Sequence, residues 1–209
     1  MSRVIASLAL VLALAGCRDE RRHPPARTTP PEPPATELDP ARPLGPSIYD
    51  LDVTLTTSTG ATAKLDISRG HPVIISMFYG SCTVACPLLL SEVKQTVDEL
   101  PPDVRQDVRV VLVSFDASRD TPAALAELVR ERKLDDRYTV AAASDADARA
   151  LAAVLGFKYR RMADGQYAHG STILALDRAG QPIARVDQLG QRAILVRALA
   201  ALPPLTAAL

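Results

Sequence analysis

The chain has 209 residues, 47% of them apolar, which is material for one sizeable core and one folded domain with an appendage. Lysine plus arginine and aspartate plus glutamate each total 24, so the formal net charge is zero. With no basic patch, 4% aromatic residues and no tryptophan, the chain lacks both the electrostatic footprint and the stacking surface of a nucleic-acid binder.

Residues 1–17 read MSRVIASLALVLALAGC. Arg3 precedes an apolar run from Val4 to Ala15, the layout of a secretory signal and too short for a comfortable membrane span. Leu14-Ala15-Gly16-Cys17 resembles the bacterial lipobox, in which the cysteine is acylated and becomes the first mature residue. The resemblance implies a signal peptide over 1–16 and a lipid on Cys17 that holds the protein at the periplasmic side of a bacterial membrane. Residues 18–47 are rich in proline and charge, so apolar burial cannot offset the entropy of ordering them. Together with Cys17 they form an expected linker over 17–47, rising about 3.1 Å per residue where it is polyproline-like. His23 falls in this linker as a solvated residue, and the folded domain is expected over 48–209.

Alternation at Leu51, Val53 and Leu55, a break at Thr59-Gly60, and resumption at Ala63 and Leu65 predict an N-terminal hairpin. His71, just before Pro72, belongs to a turn and receives no role. The continuous apolar run from Val73 to Tyr79 reads as a strand buried on both faces. Leu88, Leu89, Val93, Val97 and Leu100 then recur at helical spacing until Pro101-Pro102 ends the helix. Val108 to Phe115 is a second buried strand. Thr121-Pro122 supplies an N-cap and a first-turn proline for a helix through Leu125, Leu128 and Val129. Tyr138–Ala143 reads as a strand and Asp145–Leu155 as a helix capped by Ser144 and ended by Gly156. Strands near 171–176 and 182–186 flank the turn Asp177-Arg178-Ala179-Gly180, and an amphipathic helix closes the chain over roughly 191–202. This order predicts an α/β protein with a central mixed β-sheet flanked by helices, an antiparallel closing edge and an N-terminal β-hairpin extension.

The chain holds three cysteines. Two of them, Cys82 and Cys86, sit four positions apart in Gly80-Ser81-Cys82-Thr83-Val84-Ala85-Cys86-Pro87, where the first buried strand passes into a helix. A cysteine pair at that junction matches the thioredoxin fold. Helical geometry puts both sulfurs on one face, about 6 Å apart along the axis. Unpaired N–H groups and the helix dipole there favour thiolate over thiol. Two converging thiolates make a soft site suited to Cu(I), with zinc as competitor. The same pair is also able to form a strained, readily reduced disulfide.

The segment from Phe78 to Pro87 resembles the C-x-x-x-C-P motif of the Sco/SenC family of copper-binding cytochrome c oxidase assembly proteins. Val113-Ser114-Phe115-Asp116-Ala117-Ser118-Arg119-Asp120-Thr121-Pro122 is similar to that family's V-S-x-D-P-x-R-D-T-P segment. Tyr167-Ala168-His169-Gly170-Ser171-Thr172 resembles its D-H-S segment, which carries the histidine ligand. The likeness runs from about residue 48 to the end. Thr83, Val84, Ala117 and Ala168 stand where the family often has proline, an acid, proline and aspartate, and Gly170 intervenes before Ser171.

The resemblance implies a copper site of Cys82, Cys86 and His169, taking Cu(I) and also Cu(II). It implies a metallochaperone, not an enzyme, that serves the CuA centre of cytochrome c oxidase subunit II or another copper protein, with a periplasmic thiol reductase as a further partner. Asp116, ending a central strand, is a candidate to contact or tune the site, or with Asp120 to cap the next turn. Tyr79 and Phe78 read as core or pocket wall. Two other functions use the same residues: a thiol–disulfide oxidoreductase in which Cys82 attacks and Cys86 resolves, and a redox or copper sensor.

Overall fold

The computed structural model describes residues 44–82 and 85–203. The expected signal peptide, Cys17, His23, most of the expected linker, and Thr83 and Val84 lie outside them. The described chain opens as a strap across a later hairpin. Leu44 N–H donates to the Pro182 carbonyl at 2.8 Å, Ser47 Oγ to that of Ala179 at 2.6 Å, and Ile48 N–H to that of Gly180 at 2.9 Å. Hydrogen-bonded structure thus begins inside the stretch whose composition reads as linker.

In chain order the elements are β1 (Thr54–Thr57), β2 (Thr62–Lys64), β3 (Val73–Phe78), α1 (Ala85–Glu99), α2 (Pro102–Asp107), β4 (Arg109–Ser114) and α3 (Pro122–Glu131). There follow β5 (Tyr138–Ala143), α4 (Asp145–Leu155), β6 (Tyr159–Arg161), β7 (Tyr167–His169), β8 (Ile173–Leu176), β9 (Pro182–Val186) and α5 (Arg192–Ala200). Seven strands form one sheet in the order β2-β1-β5-β4-β3-β8-β9. Its centre, β3, β4 and β5, is parallel, while β8 and β9 on one side and β1 and β2 on the other are joined by antiparallel pairings. This is the mixed, helix-flanked sheet expected, and the N-terminal hairpin is the extra edge on β5.

Side chains on both faces of the central strands are covered. All six residues of β3 are buried, as are five of six in β4, so a continuous Val/Ile/Met/Phe run is the stable choice there. In α1 the buried face is Cys86, Leu89, Leu90, Glu92, Val93, Thr96 and Val97. Leu88 departs from expectation and is 55% exposed. Three consecutive leucines span about 200° of a helix, so one must face outward. Local chemistry sets the helix starts. Thr121 Oγ1 accepts the Ala124 N–H at 3.3 Å and Ser144 Oγ that of Asp147 at 3.2 Å, while Gly156 ends α4 at φ 62°.

Two elements were not expected. The short helix α2 follows the proline pair and buries none of its residues, so it leaves no amphipathic signature. The β6–β7 hairpin is a separate two-stranded sheet of three-residue strands, too short for alternation to register. Among the described residues no helix is long and apolar enough to cross a membrane.

The strap and the β8–β9 turn meet at Gly180, whose φ is +80° and whose added Cβ would fall 2.5 Å from the Tyr49 ring. Gly180→Ala therefore meets left-handed strain and a clash together, an expected loss of about 2–4 kcal/mol. Urea unfolding checks this, and an unchanged midpoint would show that the strap is not held there.

Candidate metal centre

The site is assembled at the carboxyl end of β3. Past Phe78 the chain turns through Tyr79 to Cys82, whose N–H donates to the Tyr79 carbonyl at 3.2 Å. Buried Asp120 holds this turn. Its Oδ2 accepts the Gly80 N–H at 2.8 Å and also the Ser114 hydroxyl at the end of β4. One carboxylate thus ties the cysteine loop to the neighbouring strand. The fit requires glycine, because a Cβ on Gly80 would lie 2.6 Å from Asp120 Oδ1.

Cys82, Cys86 and His169 converge. His169 Nε2 lies 3.7 Å from Cys82 Sγ and 3.7 Å from Cys86 Sγ, across 87 and 83 residues of sequence. All three donor atoms lie within 4.8 Å of one another, and among the described residues this is the one such cluster of His, Cys, Asp and Glu. The two sulfurs are not bonded to each other. His169 sits at the end of β7, not in the loop expected of it. Its Nδ1 is 2.7 Å from the Gly170 carbonyl. A carbonyl only accepts, so Nδ1 carries the proton and the bare Nε2 lone pair faces the sulfurs. Ala168, where the resembling family has an acid, is exposed on the other side of β7. The backbone at Gly170 supplies the partner that orients the ring.

Aromatic rings wall the imidazole. Tyr79 meets it edge-on at 5.5 Å, Phe157 stacks near-parallel at 6.0 Å, and Phe115 lies at 5.8 Å. Tyr159 stacks on Phe115 at 4.4 Å, and Tyr167 packs against Phe115 and Tyr79, each at 5.2 Å. Tyr79 is therefore pocket wall, as expected, while Phe78 is core. Asp116 reaches the site through intermediaries. It pairs with Arg119, whose guanidinium lies 5.7 Å from the Tyr79 and Tyr167 ring centres. The carboxylate that touches the cysteine loop is Asp120, which the sequence reading assigned to turn capping alone. His71 stands outside the cluster and bonds Asp107 at 2.6 Å.

The two thiols differ. Cys86 is 3% exposed, and burial pushes its pKa from 9.0 up to about 12, with the neighbouring Cys82 and Asp120 adding to the rise and the Tyr79 backbone opposing it. This corrects the expectation of a thiolate at both positions. A rise of that size corresponds to ~4 kcal/mol, against ~1 kcal/mol from a helix N-terminus. Cys82 is half-buried and its sulfur accepts the Cys86 N–H at 3.3 Å, so it takes the hydrogen bond that the helix start offers. The site opens at Cys82 and closes at Cys86.

The donor separations fit a soft ion. Bonds of about 2.3 Å to thiolate and 2.0 Å to imidazole place sulfur and nitrogen about 3.7 Å apart at 120°, and about 3.5 Å at the tetrahedral angle. The observed 3.7 Å lies within reach of either geometry, and three donors are one short of a closed zinc site.

The class of protein is thereby defined: a thioredoxin-like domain with a dithiol–imidazole cluster at its first strand-to-helix junction. The SCO1/SenC family profile matches residues 43–203, and the chain belongs to that family. A Stutzerimonas stutzeri protein with a provisional copper-binding name is 37% identical over 57 residues, 27% of this chain and 28% of that protein's length. Among solved structures, a SCO1/SenC family lipoprotein from Bacillus anthracis superposes with TM-score 0.65 at 17% identity, covering 76% of this chain and 95% of that one. Bradyrhizobium japonicum ScoI with copper bound gives TM-score 0.58 at 22% identity, covering 72% and 97%.

Three outcomes test the site without metal. Gly80→Ala should displace the cysteine loop and cost about 1–3 kcal/mol through the Asp120 contact, measured by thermal unfolding of the reduced chain. Cys86 should resist iodoacetamide at pH 7 and react about tenfold faster per pH unit toward pH 12. Because the folded thiol ionises later than the unfolded one, stability of the reduced fold should fall as pH rises from about 9 to 12. Mass spectrometry of alkylated peptides reads the Cys86 reactivity, and rapid Cys86 labelling at neutral pH would contradict the burial argument.

Proposed function

We propose that this protein carries one copper ion on Cys82, Cys86 and His169 and delivers it, from a lipid anchor on Cys17 at the periplasmic face of a membrane, to the CuA centre of cytochrome c oxidase. The observation that carries the reading is the bare Nε2 of His169 equidistant from two sulfurs. Copper bound to Bradyrhizobium japonicum ScoI and the copper-binding name of the Stutzerimonas stutzeri relative support the choice of cargo. The lipoprotein relative in Bacillus anthracis supports the anchor that the sequence before Arg18 implies.

The chain's own chemistry suits a carrier. Loading displaces the Cys86 proton, so uptake releases acid and strengthens with pH. The aromatic wall keeps water from the inner side, while half-buried Cys82 and His169 give a receiving protein access from the outer side. Three donors leave a position through which an incoming ligand can take the ion by exchange.

The inequality of the thiols also supports a second reading, thiol–disulfide exchange on the oxidase subunit's cysteines. There the accessible Cys82 thiolate attacks a partner disulfide and forms a mixed disulfide. Cys86 then displaces the partner's thiolate, leaving a reduced partner and a Cys82–Cys86 disulfide for a periplasmic reductase to reopen. That chemistry has no use for the imidazole. Anaerobic Cu(I) titration of the reduced chain against competing chelators should show one ion per chain. His169→Ala should lower the affinity by at least about a hundredfold while disulfide exchange stays within about twofold of the parent. No uptake by the parent would sink the carrier reading, and equal affinity in the variant would move the assignment to exchange.

A further inference from the structure

A second feature lies on the outer side of the aromatic wall. Phe115, Tyr159 and Tyr167 turn their other surfaces to a cavity of about 400 Å³ whose remaining lining is Arg149, Arg160, Arg161 and Asp145. Arg149 extends from α4 with its guanidinium 5.8 Å from the Tyr159 ring centre, and Arg160 and Arg161 project from β6. All three are exposed, and among the described residues none of them pairs with a carboxylate. Seven other arginines, Arg69, Arg119, Arg130, Arg137, Arg178, Arg185 and Arg192, each hold an acid, and Arg105 and Arg109 bond backbone carbonyls. The larger cavity of about 510 Å³ lies by Pro72 and Asp107, at the opposite end of β3 from Tyr79, and there Arg178 is already engaged by Asp107.

We propose that the Arg149–Arg160–Arg161 cavity docks a carboxylate-bearing segment of the protein that exchanges metal with this one. The lining carries three cations against one acid, Asp145, so the local balance is positive in a chain whose net charge is zero. Guanidinium forks bind carboxylates in bidentate fashion, and arginine beside tyrosine faces is the composition of interface anchor points. Asp145 in the lining disfavours a phosphate dianion more than a single carboxylate. The recess admits a side chain, not a bilayer surface. Its position explains its use: Phe115 stacks on Tyr159 at 4.4 Å and lies 5.8 Å from His169, so a docked segment sits one ring away from the metal cluster. The identity of the exchanged cargo rests on the carrier reading, whereas docking itself does not.

The test uses the full, reduced, metal-free chain and a hexaglutamate peptide, read by calorimetry and by arginine side-chain NMR at low salt. One-to-one binding is expected, weakening steeply with salt and at least tenfold in Arg149→Gln/Arg160→Gln/Arg161→Gln. The double variant Arg160→Gln/Arg161→Gln, which leaves Arg149 on Tyr159, should lose an intermediate part. Arg130→Gln, remote on α3, should bind as the parent does, and Cu(I) affinity should be equal in all of them. Peptide binding that is absent, or unchanged in the triple variant, overturns the proposal. So does an effect of the triple variant confined to phosphatidylglycerol vesicles or inorganic phosphate, which would assign the cavity to lipid headgroups or to phosphate. Failure of the parent to bind copper would sink the carrier reading and leave the peptide result standing.

Discussion

The hydrogen bond from His169 Nδ1 to the Gly170 carbonyl governs what the site can be. It fixes the imidazole as the tautomer with a free lone pair on Nε2 and aims that lone pair between two sulfurs. With the ring turned over, Cδ2 would face the carbonyl, Cε1 would take the place of Nε2 beside the sulfurs, and the cluster would fall back to a plain dithiol. A backbone acceptor is well suited to this duty, since it neither titrates nor depends on a side chain at position 168. The exchange of an expected acid for Ala168 therefore leaves the ring oriented.

Around that bond the protein holds its two thiols in different surroundings. Cys86 lies on the buried face of α1 and keeps its proton, whereas Cys82 stands at the rim and accepts the helix-start N–H. An inner thiol that yields its proton only to a metal or a disulfide makes occupancy depend on pH and redox state. An outer thiol within reach of a second protein makes exchange feasible. The proposed carrier role and the alternative oxidoreductase role both use this asymmetry, and the imidazole separates them.

The scaffold contributes rigidity through few contacts. Asp120 ties the Gly80 amide to Ser114, joining the ends of β3 and β4, and Gly80 leaves room for that carboxylate. Five of the chain's eight phenylalanine and tyrosine side chains gather at the cluster, in a protein where aromatics are only 4% of residues. The strands set where each element ends, and these contacts convert the strand ends into a fixed arrangement of donors.

Much of the architecture was legible locally. Tyr138–Ala143 and Asp145–Leu155 match their observed limits, and for the helix the reason is that an N-cap serine and a left-handed glycine each act within a few residues of themselves. The cysteine pair at a strand-to-helix junction, and the three motif blocks that resemble one family, were likewise written in consecutive residues. The β6–β7 hairpin, the grip of Asp120 on Gly80, the burial that keeps Cys86 protonated and the arginine cavity were not. Each depends on which distant segments lie side by side, and for His169 the separation is more than 80 residues. Residue types and short spacings determined the inventory of donors. Strand register and packing, which belong to the whole chain at once, decided that those donors share a single point in space.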